Sequence, residues 1–141
     1  MNKILLDTNA YTAFLRGSYQ VLDALGQAEI VFVSIIVLGE LEAGFKGGSK
    51  EEINRDLLRR FLAKPSVRVL NATFPTAMIF GRIKSELKHA GTPLPINDVW
   101  IAAHAIETEA TLISYDNHFK KISSLMCWPV ISGNHSGNPR C

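Results

Sequence analysis

The sequence predicts a single α/β domain of three layers, α/β/α, around a central, mostly parallel sheet. Three observations carry that prediction. Short apolar runs recur along the chain, amphipathic helical patterns fill the gaps between them, and strands alternating with helices pair in parallel. With 141 residues, of which 47% are hydrophobic and 20% charged, the chain has the material for one core and not for two. A chain of this length buries roughly 70% of the surface its unfolded form exposes, so it needs neither disulfides nor a structural metal to hold together.

Taken in order, Lys3 to Asp7 and Ile30 to Ser34 are the first two runs, the second rich in β-branched and aromatic residues. Both read as strands buried on two faces. Val67 to Leu70, Thr111 to Tyr115 and Pro129 to Ile131 have the same character and read as three more. Ser49 with Glu52 three residues later forms a capping-box pattern ahead of Ile53, Leu57, Leu58, Phe61 and Leu62, which share one helix face. Thr73 followed by Pro75 opens a helix whose buried stripe is Met78, Ile79, Ile83 and Leu87, and Gly91 supplies its stop. Pro93 and Pro95 keep the next residues extended. From Asn97 or Asp98 a further helix runs through Trp100, Ile101, Ala105 and Ile106 to about Ala110. Residues 1–132 are expected to form the domain, and the Gly-, Asn- and Ser-rich residues 133–141 a frayed tail.

Composition also excludes. Fifteen basic and 13 acidic residues give a net charge of only +2, so any attraction for phosphate must come from local placement. The two cysteines, Cys127 and Cys141, lack metal-ligand spacing and make a poor disulfide framework. The longest apolar stretch, Ile30 to Leu38, is broken by Ser34 and falls short of the roughly 18 residues a membrane span needs. The N-terminal apolar run stops at Asp7, which suits a strand and not a signal peptide. No membrane association is expected, and the cytoplasm is the expected compartment.

The informative feature is where the acids fall. Asp7 closes the first strand, Asp116 follows the fourth, Asp98 opens a helix after the Pro-rich turn, and Glu40 sits on the helix after the second strand. In an open parallel sheet, functional groups gather outside the carboxyl ends of the strands, near the switch in strand order. Four carboxylates aimed at one place repel and raise one another's pKa unless a cation lies among them. Mg2+, with Mn2+ as the alternative, suits such oxygen ligands, whereas clustered Cys and His for zinc are missing. Each acid also has a plainer role available, since Asp7, Asp98 and Asp116 all suit helix capping and Glu40 a solvated helix face. It is their joint placement that argues for chemistry. Glu42, two positions from Glu40, cannot share its face and is expected to be solvated. Gly39 costs roughly 1 kcal/mol relative to Ala within a helix and suggests close packing near the site.

His89, His104, His118 and His135 fall in unrelated contexts, which argues against a metal-free histidine pair. His104, inside an apolar helix, reads as a satisfied core residue. Gly47-Gly48 reads as a loop between helices, not a phosphate cradle. Arg82, Lys84 and Lys88 precede Asp98 on the neighbouring helix and are candidate RNA contacts beside the acids.

Five segments together resemble the PIN-domain family, specifically the VapC-type toxin ribonucleases of toxin-antitoxin systems. They are Leu5-Leu6-Asp7-Thr8-Asn9, Gly39 to Gly44, Gly81 to Gly91, Ile96-Asn97-Asp98 to Ala103, and Ser114-Tyr115-Asp116-Asn117-His118-Phe119. The resemblance covers nearly the whole chain, with each acid in its own strand or helix context. It implies that Asp7, Glu40, Asp98 and Asp116 are the catalytic acids, with Asp7 and Asp98 holding the metal most directly. Glu40 would orient water or act as base, and Asp116 would complete the charge or hold a second ion. Thr8, Asn9, Asn97 and Ser114 would support them.

The same resemblance implies a divalent-metal-dependent endoribonuclease acting on RNA, with tRNA among the candidate substrates. It also implies restraint by a VapB-type antitoxin in a hetero-oligomer, and a toxin homodimer. Phe14, Leu15, Tyr19 and Trp100 are candidates for apolar contact at such interfaces, with core burial the commoner fate of such residues. Two other readings are a non-catalytic PIN-like binding module and a metal-dependent phosphatase. The first leaves four acids unexplained, and the second wants a further acid beside Asp7, where Thr8-Asn9 stands.

Overall fold

A computed structural model of the chain describes residues 2–128. The expected strand at 129–131 and the tail at 133–141 lie outside those residues. The remaining strands form as β1 (Lys3–Leu6), β2 (Ile30–Ser34), β3 (Val67–Leu70) and β4 (Thr111–Ile113). Between them run α1 (Thr8–Leu15), α2 (Tyr19–Gln27), α3 (Ile35–Phe45), α4 (Glu51–Leu62), α5 (Phe74–Ala90) and α6 (Ile96–Thr108), and a 3-10 turn spans Asn117–Lys121.

The sheet order is β3-β2-β1-β4 and every pairing is parallel. Lys3 registers with Ile30, Ile4 with Thr111, and Val31 with Val67. Alternate strand residues face opposite sides, yet Ile4, Leu5 and Leu6 are all buried, as are Leu112 and Ile113, so helices cover both faces of the central strands. That establishes the expected three layers. β3 lies at an edge and exposes Arg68 and Val69. On the other side of the sheet, Leu112 donates its N–H to Met126 O at 2.8 Å and accepts from Trp128 N at 2.7 Å, so the chain pairs along β4 just before the described residues end.

Element ends follow local chemistry. β1 stops at Leu6 because Asp7 turns its side chain onto the Ala10 amide at 2.8 Å and caps α1. β4 stops at Ile113, two residues short of the expected end, because Ser114 Oγ accepts the Asp116 amide at 2.9 Å and turns the chain. α5 starts as expected at Thr73, whose N–H donates to Thr76 Oγ1 at 3.1 Å, and ends on Gly91 at φ 69°, a left-handed cap that glycine adopts without strain. α6 starts one or two residues early, at Ile96, with Pro95 as its cap residue. Its C-cap, Glu109, takes a left-handed φ of 57° without being glycine.

The Ser49–Glu52 capping box does not form. α4 begins after Lys50 without a side-chain cap, because Glu51 binds back to the Gly47 amide at 3.1 Å and pairs with Arg55 at 2.9 Å, which fixes the helix start by other means. Arg55 also reaches Glu42 at 2.8 Å, so Glu42 is an ion-pair partner and not simply solvated. Gly39 is not a point of close packing either, since a Cβ there would meet nothing within 4 Å. Of the four apolar candidates, Tyr19 is 80% exposed and Leu15 38%, whereas Phe14 is partly buried and Trp100 stacks on Phe80 with ring centroids 4.0 Å apart, joining α6 to α5.

Candidate active site

Because β2 lies on one side of β1 and β4 on the other, the connections leaving these strands diverge and open a crevice at their carboxyl ends. Asp7, Thr8 and Asn9 enter that crevice from the end of β1, Glu40 from α3, Asn97 and Asp98 from the first turn of α6, and Asp116 from the turn after β4. They line one cleft of about 560 Å³, with Pro95, Ile96 and Ile101 as its apolar wall. All four acids singled out in the sequence therefore meet, as do three of the four supporting residues. The fourth, Ser114, is buried beneath them and joins two acids: it bonds the Asp7 carboxylate and receives the Asp116 amide.

Glu40 is held at both oxygens. Thr8 donates its hydroxyl to Oε1, and Asn97 Nδ2 reaches Oε2 at 3.3 Å. These bonds tie the start of α1 and the start of α6 to α3. α6 is further locked to the start of α3 and to the chain after β3 by His104, buried as expected, whose Nδ1 lies 2.9 Å from Ser34 Oγ and whose Nε2 lies 3.3 Å from the Asn71 carbonyl. Since a carbonyl only accepts, Nε2 carries the proton, and Ser34 donates to Nδ1. Ser34 Oγ also accepts the Ile36 amide at 3.0 Å and so caps α3.

The electrostatics follow from crowding. Burial pushes the Asp7 carboxyl from its ordinary 3.8 up to about 6, and Asp98 and Asp116 push the same way, against the Ser114 hydroxyl and the Ala10 amide that favour its charge. Asp98 is also raised, first by burial and then by Glu40 and Asp116, with His118 opposing. Such acids are costly to ionise together, and a divalent cation among them relieves the repulsion.

His118 is the residue that sequence reasoning missed. The 3-10 turn swings its imidazole between two acids, with Nε2 2.8 Å from Asp98 Oδ2 and Nδ1 2.9 Å from Asp116 Oδ1. One signal in the sequence pointed that way: His118 lies two residues after a strand-end acid, on a turn short enough to bring both to one edge. The basic candidates go elsewhere. Lys84 and Lys88 line a second groove, with His89, Gly91, Pro93 and Leu94, that shares no residue with the acidic cleft, and Arg82 is exposed on the same helix.

Known proteins carry the same architecture. The PIN domain family profile matches residues 4–125. Ribonuclease VapC2 of Rickettsia felis is 31% identical over 127 residues, spanning 86% of this chain and 93% of that one. The crystal structure of VapBC2 from Rickettsia felis, bound to a DNA fragment from its promoter, superimposes with a TM-score of 0.78 at 28% identity, covering 89% of this chain and 97% of that one. VapBC-1 from nontypeable Haemophilus influenzae gives a TM-score of 0.79 at 25% identity, with 89% and 96% covered.

Proposed function

Since this chain belongs to the PIN-domain family, we propose that it is the toxin ribonuclease of a toxin-antitoxin system, an endoribonuclease that hydrolyses RNA at the acidic cleft and is restrained by a VapB-type antitoxin. The observation that carries this reading is the convergence of Asp7, Glu40, Asp98 and Asp116 on one cleft at the carboxyl ends of the sheet. The names of the similar proteins supply the activity and the partner: the relatives are ribonucleases VapC, and the structures are VapBC assemblies.

The donor set fits Mg2+ or Mn2+. It is rich in carboxylate oxygen, its most buried acid is raised to about 6 by burial and then by the neighbouring acids, and a buried imidazole nitrogen at its edge has no aligned hydrogen-bond partner. Asp7 and Asp98 would hold the ion most directly, with Asp116 completing the charge. When bound, it supplies Lewis-acid stabilisation of the phosphate and lowers the pKa of water at the site.

The protein's own groups do the rest. Glu40, fixed at both oxygens by Thr8 and Asn97, is oriented to accept a proton from the attacking water. Ser114 keeps Asp7 aimed into the cleft. The apolar wall of Pro95, Ile96 and Ile101 limits water around the phosphate. RNA extending beyond the cleft would meet positive charge at Arg82, Lys84 and Lys88 on α5. Among the described residues no helix is long and apolar enough to cross a membrane, and the cytoplasm is the compartment proposed for the activity. A toxin homodimer inside the hetero-oligomer belongs to the same reading.

The test is cleavage of a total or transfer RNA pool by antitoxin-free protein with Mg2+ or Mn2+. Cleavage is expected to vanish with EDTA and in Asp7→Asn and Asp98→Asn, leaving 5′-phosphate and 3′-hydroxyl ends in the active reaction. Cyclic phosphate ends would refute water attack, and cleavage surviving both substitutions would refute the site.

A further inference from the structure

Resting on the metal-dependent reading above, we infer that His118 supplies a nitrogen ligand to the divalent ion, is oriented for it by Asp116, and so biases the site toward ions that accept imidazole, Mn2+ over Mg2+. The geometry of Nε2 carries the inference. It stands 2.8 Å from Asp98 Oδ2, yet it is buried and makes no hydrogen bond, so its N–H direction misses the carboxylate. A contact that close between a ring nitrogen and a carboxylate, not aligned as donor and acceptor, is what two neighbouring ligands of one ion produce. With metal-ligand bonds of about 2.1 Å, adjacent ligands of an octahedral ion stand about 3 Å apart and aim at the ion instead of each other.

The other ring nitrogen completes the pattern. Nδ1 lies 2.9 Å from Asp116 Oδ1, and ligand atoms of Asp98, Asp116 and His118 all lie within 4.8 Å of one another. A metal-bound histidine commonly donates its second N–H to a carboxylate, which fixes the tautomer and presents the free lone pair to the ion. Asp116 stands within ion-pair distance of Nδ1, and its role becomes one of holding the imidazole by charge and through the His118 amide more than of touching the metal. The imidazole is also anchored locally: the His118 amide donates to Asp116 Oδ1 at 3.3 Å, and the adjacent Phe119 is buried in the core.

The consequence is selectivity. Mg2+ prefers oxygen ligands and sheds water reluctantly, whereas imidazole adds affinity for first-row transition ions. Mn2+ binding is to be read by electron paramagnetic resonance and Mg2+ binding by calorimetry, on wild type, His118→Ala, His118→Asn and Asp116→Asn, with thermal melting to select the folded variants. The Mn2+ dissociation constant is expected to rise about tenfold or more in both His118 variants, while that for Mg2+ stays within about twofold; Asp116→Asn, which also removes a charge, is expected to weaken both ions, Mn2+ the more. Pulsed resonance of the Mn2+-loaded wild type is expected to show a coupled nitrogen that His118→Asn removes.

Metal binding by wild type without a coupled nitrogen, or equal losses for both ions, would overturn the inference and leave the ribonuclease reading intact. Tighter Mn2+ binding in His118→Ala would overturn it too, because the imidazole would then be a mere occupant of the cleft. If wild type binds neither ion, the metal-dependent reading itself fails.

Discussion

Replacing Asp7 with Asn should make the metal-free protein more stable at neutral pH while abolishing its activity. Asp7 is 5% exposed and burial raises its carboxyl to about 6 in the folded chain against an ordinary 3.8. A carboxyl that binds its proton more tightly when folded favours the native state at low pH. That advantage is lost as pH rises from about 4 through about 6. The shift corresponds to about 3 kcal/mol of stability missing above pH 7. Asn keeps the shape and the oxygen that accepts the Ala10 amide, but carries no charge.

Urea melts in EDTA across pH 4 to 8 read the effect. Wild type and Asp7→Asn are expected to be close at pH 4 and to diverge with pH, until the variant leads at pH 8 by up to about 3 kcal/mol, a midpoint shift of about 1 to 2 M urea. Adding Mn2+ should reverse the order. A ligand at a thousandfold excess over its dissociation constant stabilises by about 4.1 kcal/mol, more than the gap, and only wild type is expected to gain it. A difference between the two proteins that is flat in pH, or a variant less stable at pH 8, would refute the argument that buried charge is the cost of this site.

Other expected outcomes follow from single contacts. His104 is buried, and burial lowers its pKa, so its contribution to stability falls as pH drops below its ordinary 6.5, opposite in sign to Asp7. Melts of wild type against His104→Gln should therefore converge between pH 7.5 and 5.5. Ser34→Ala removes both the cap of α3 and the donor to His104, and is expected to cost about 1 to 2 kcal/mol in a denaturant melt. Glu109→Gly relieves a left-handed residue at the end of α6 and is expected to stabilise by about 1 kcal/mol. A lower melting temperature would contradict that.

The fold was legible because its central strands are largely buried on both faces. Lys3 to Leu6 and Ile30 to Ser34 leave no alternation to misread, and the helix from Thr73 to Gly91 carries both a start and a stop in its residue types. The misjudged ends were those where a side chain competes for a backbone group. Ser114 ended β4 early by taking the Asp116 amide. Glu51 displaced the expected Ser49 cap by taking the Gly47 amide. Asp7, Asp98 and Asp116 were legible because each sits just after a strand or in a helix's first turn, where topology fixes direction, and Glu40 lies in the second turn of the helix that follows β2. His118 was not, since its direction depends on a 3-10 turn whose geometry no periodicity records. Nor could spacing along α5 tell that Lys84 and Lys88 turn toward a groove of their own.

Capping and chemistry, which in the sequence looked like competing explanations of the acids, turn out to share the same carboxylates. Asp7 caps α1 through Oδ1 and bonds Ser114 while lining the cleft. Asp116 likewise spends Oδ1 on the His118 amide and ring. Asp98 differs: Pro95 holds the cap position of α6, and Asp98 lies inside the first turn, where the helix N-terminus favours its negative charge. Substituting Ala at Asp7 or Asp116 therefore removes a cap, typically about 1 kcal/mol, along with the site, whereas Asn retains the cap and deletes only the charge. At Asp98 no cap is at stake. Ala and Asn should then be equally inactive at all three positions, but only at Asp7 and Asp116 should Ala melt below Asn in EDTA. An equal gap at Asp98 would mean that its carboxylate, too, holds the fold together.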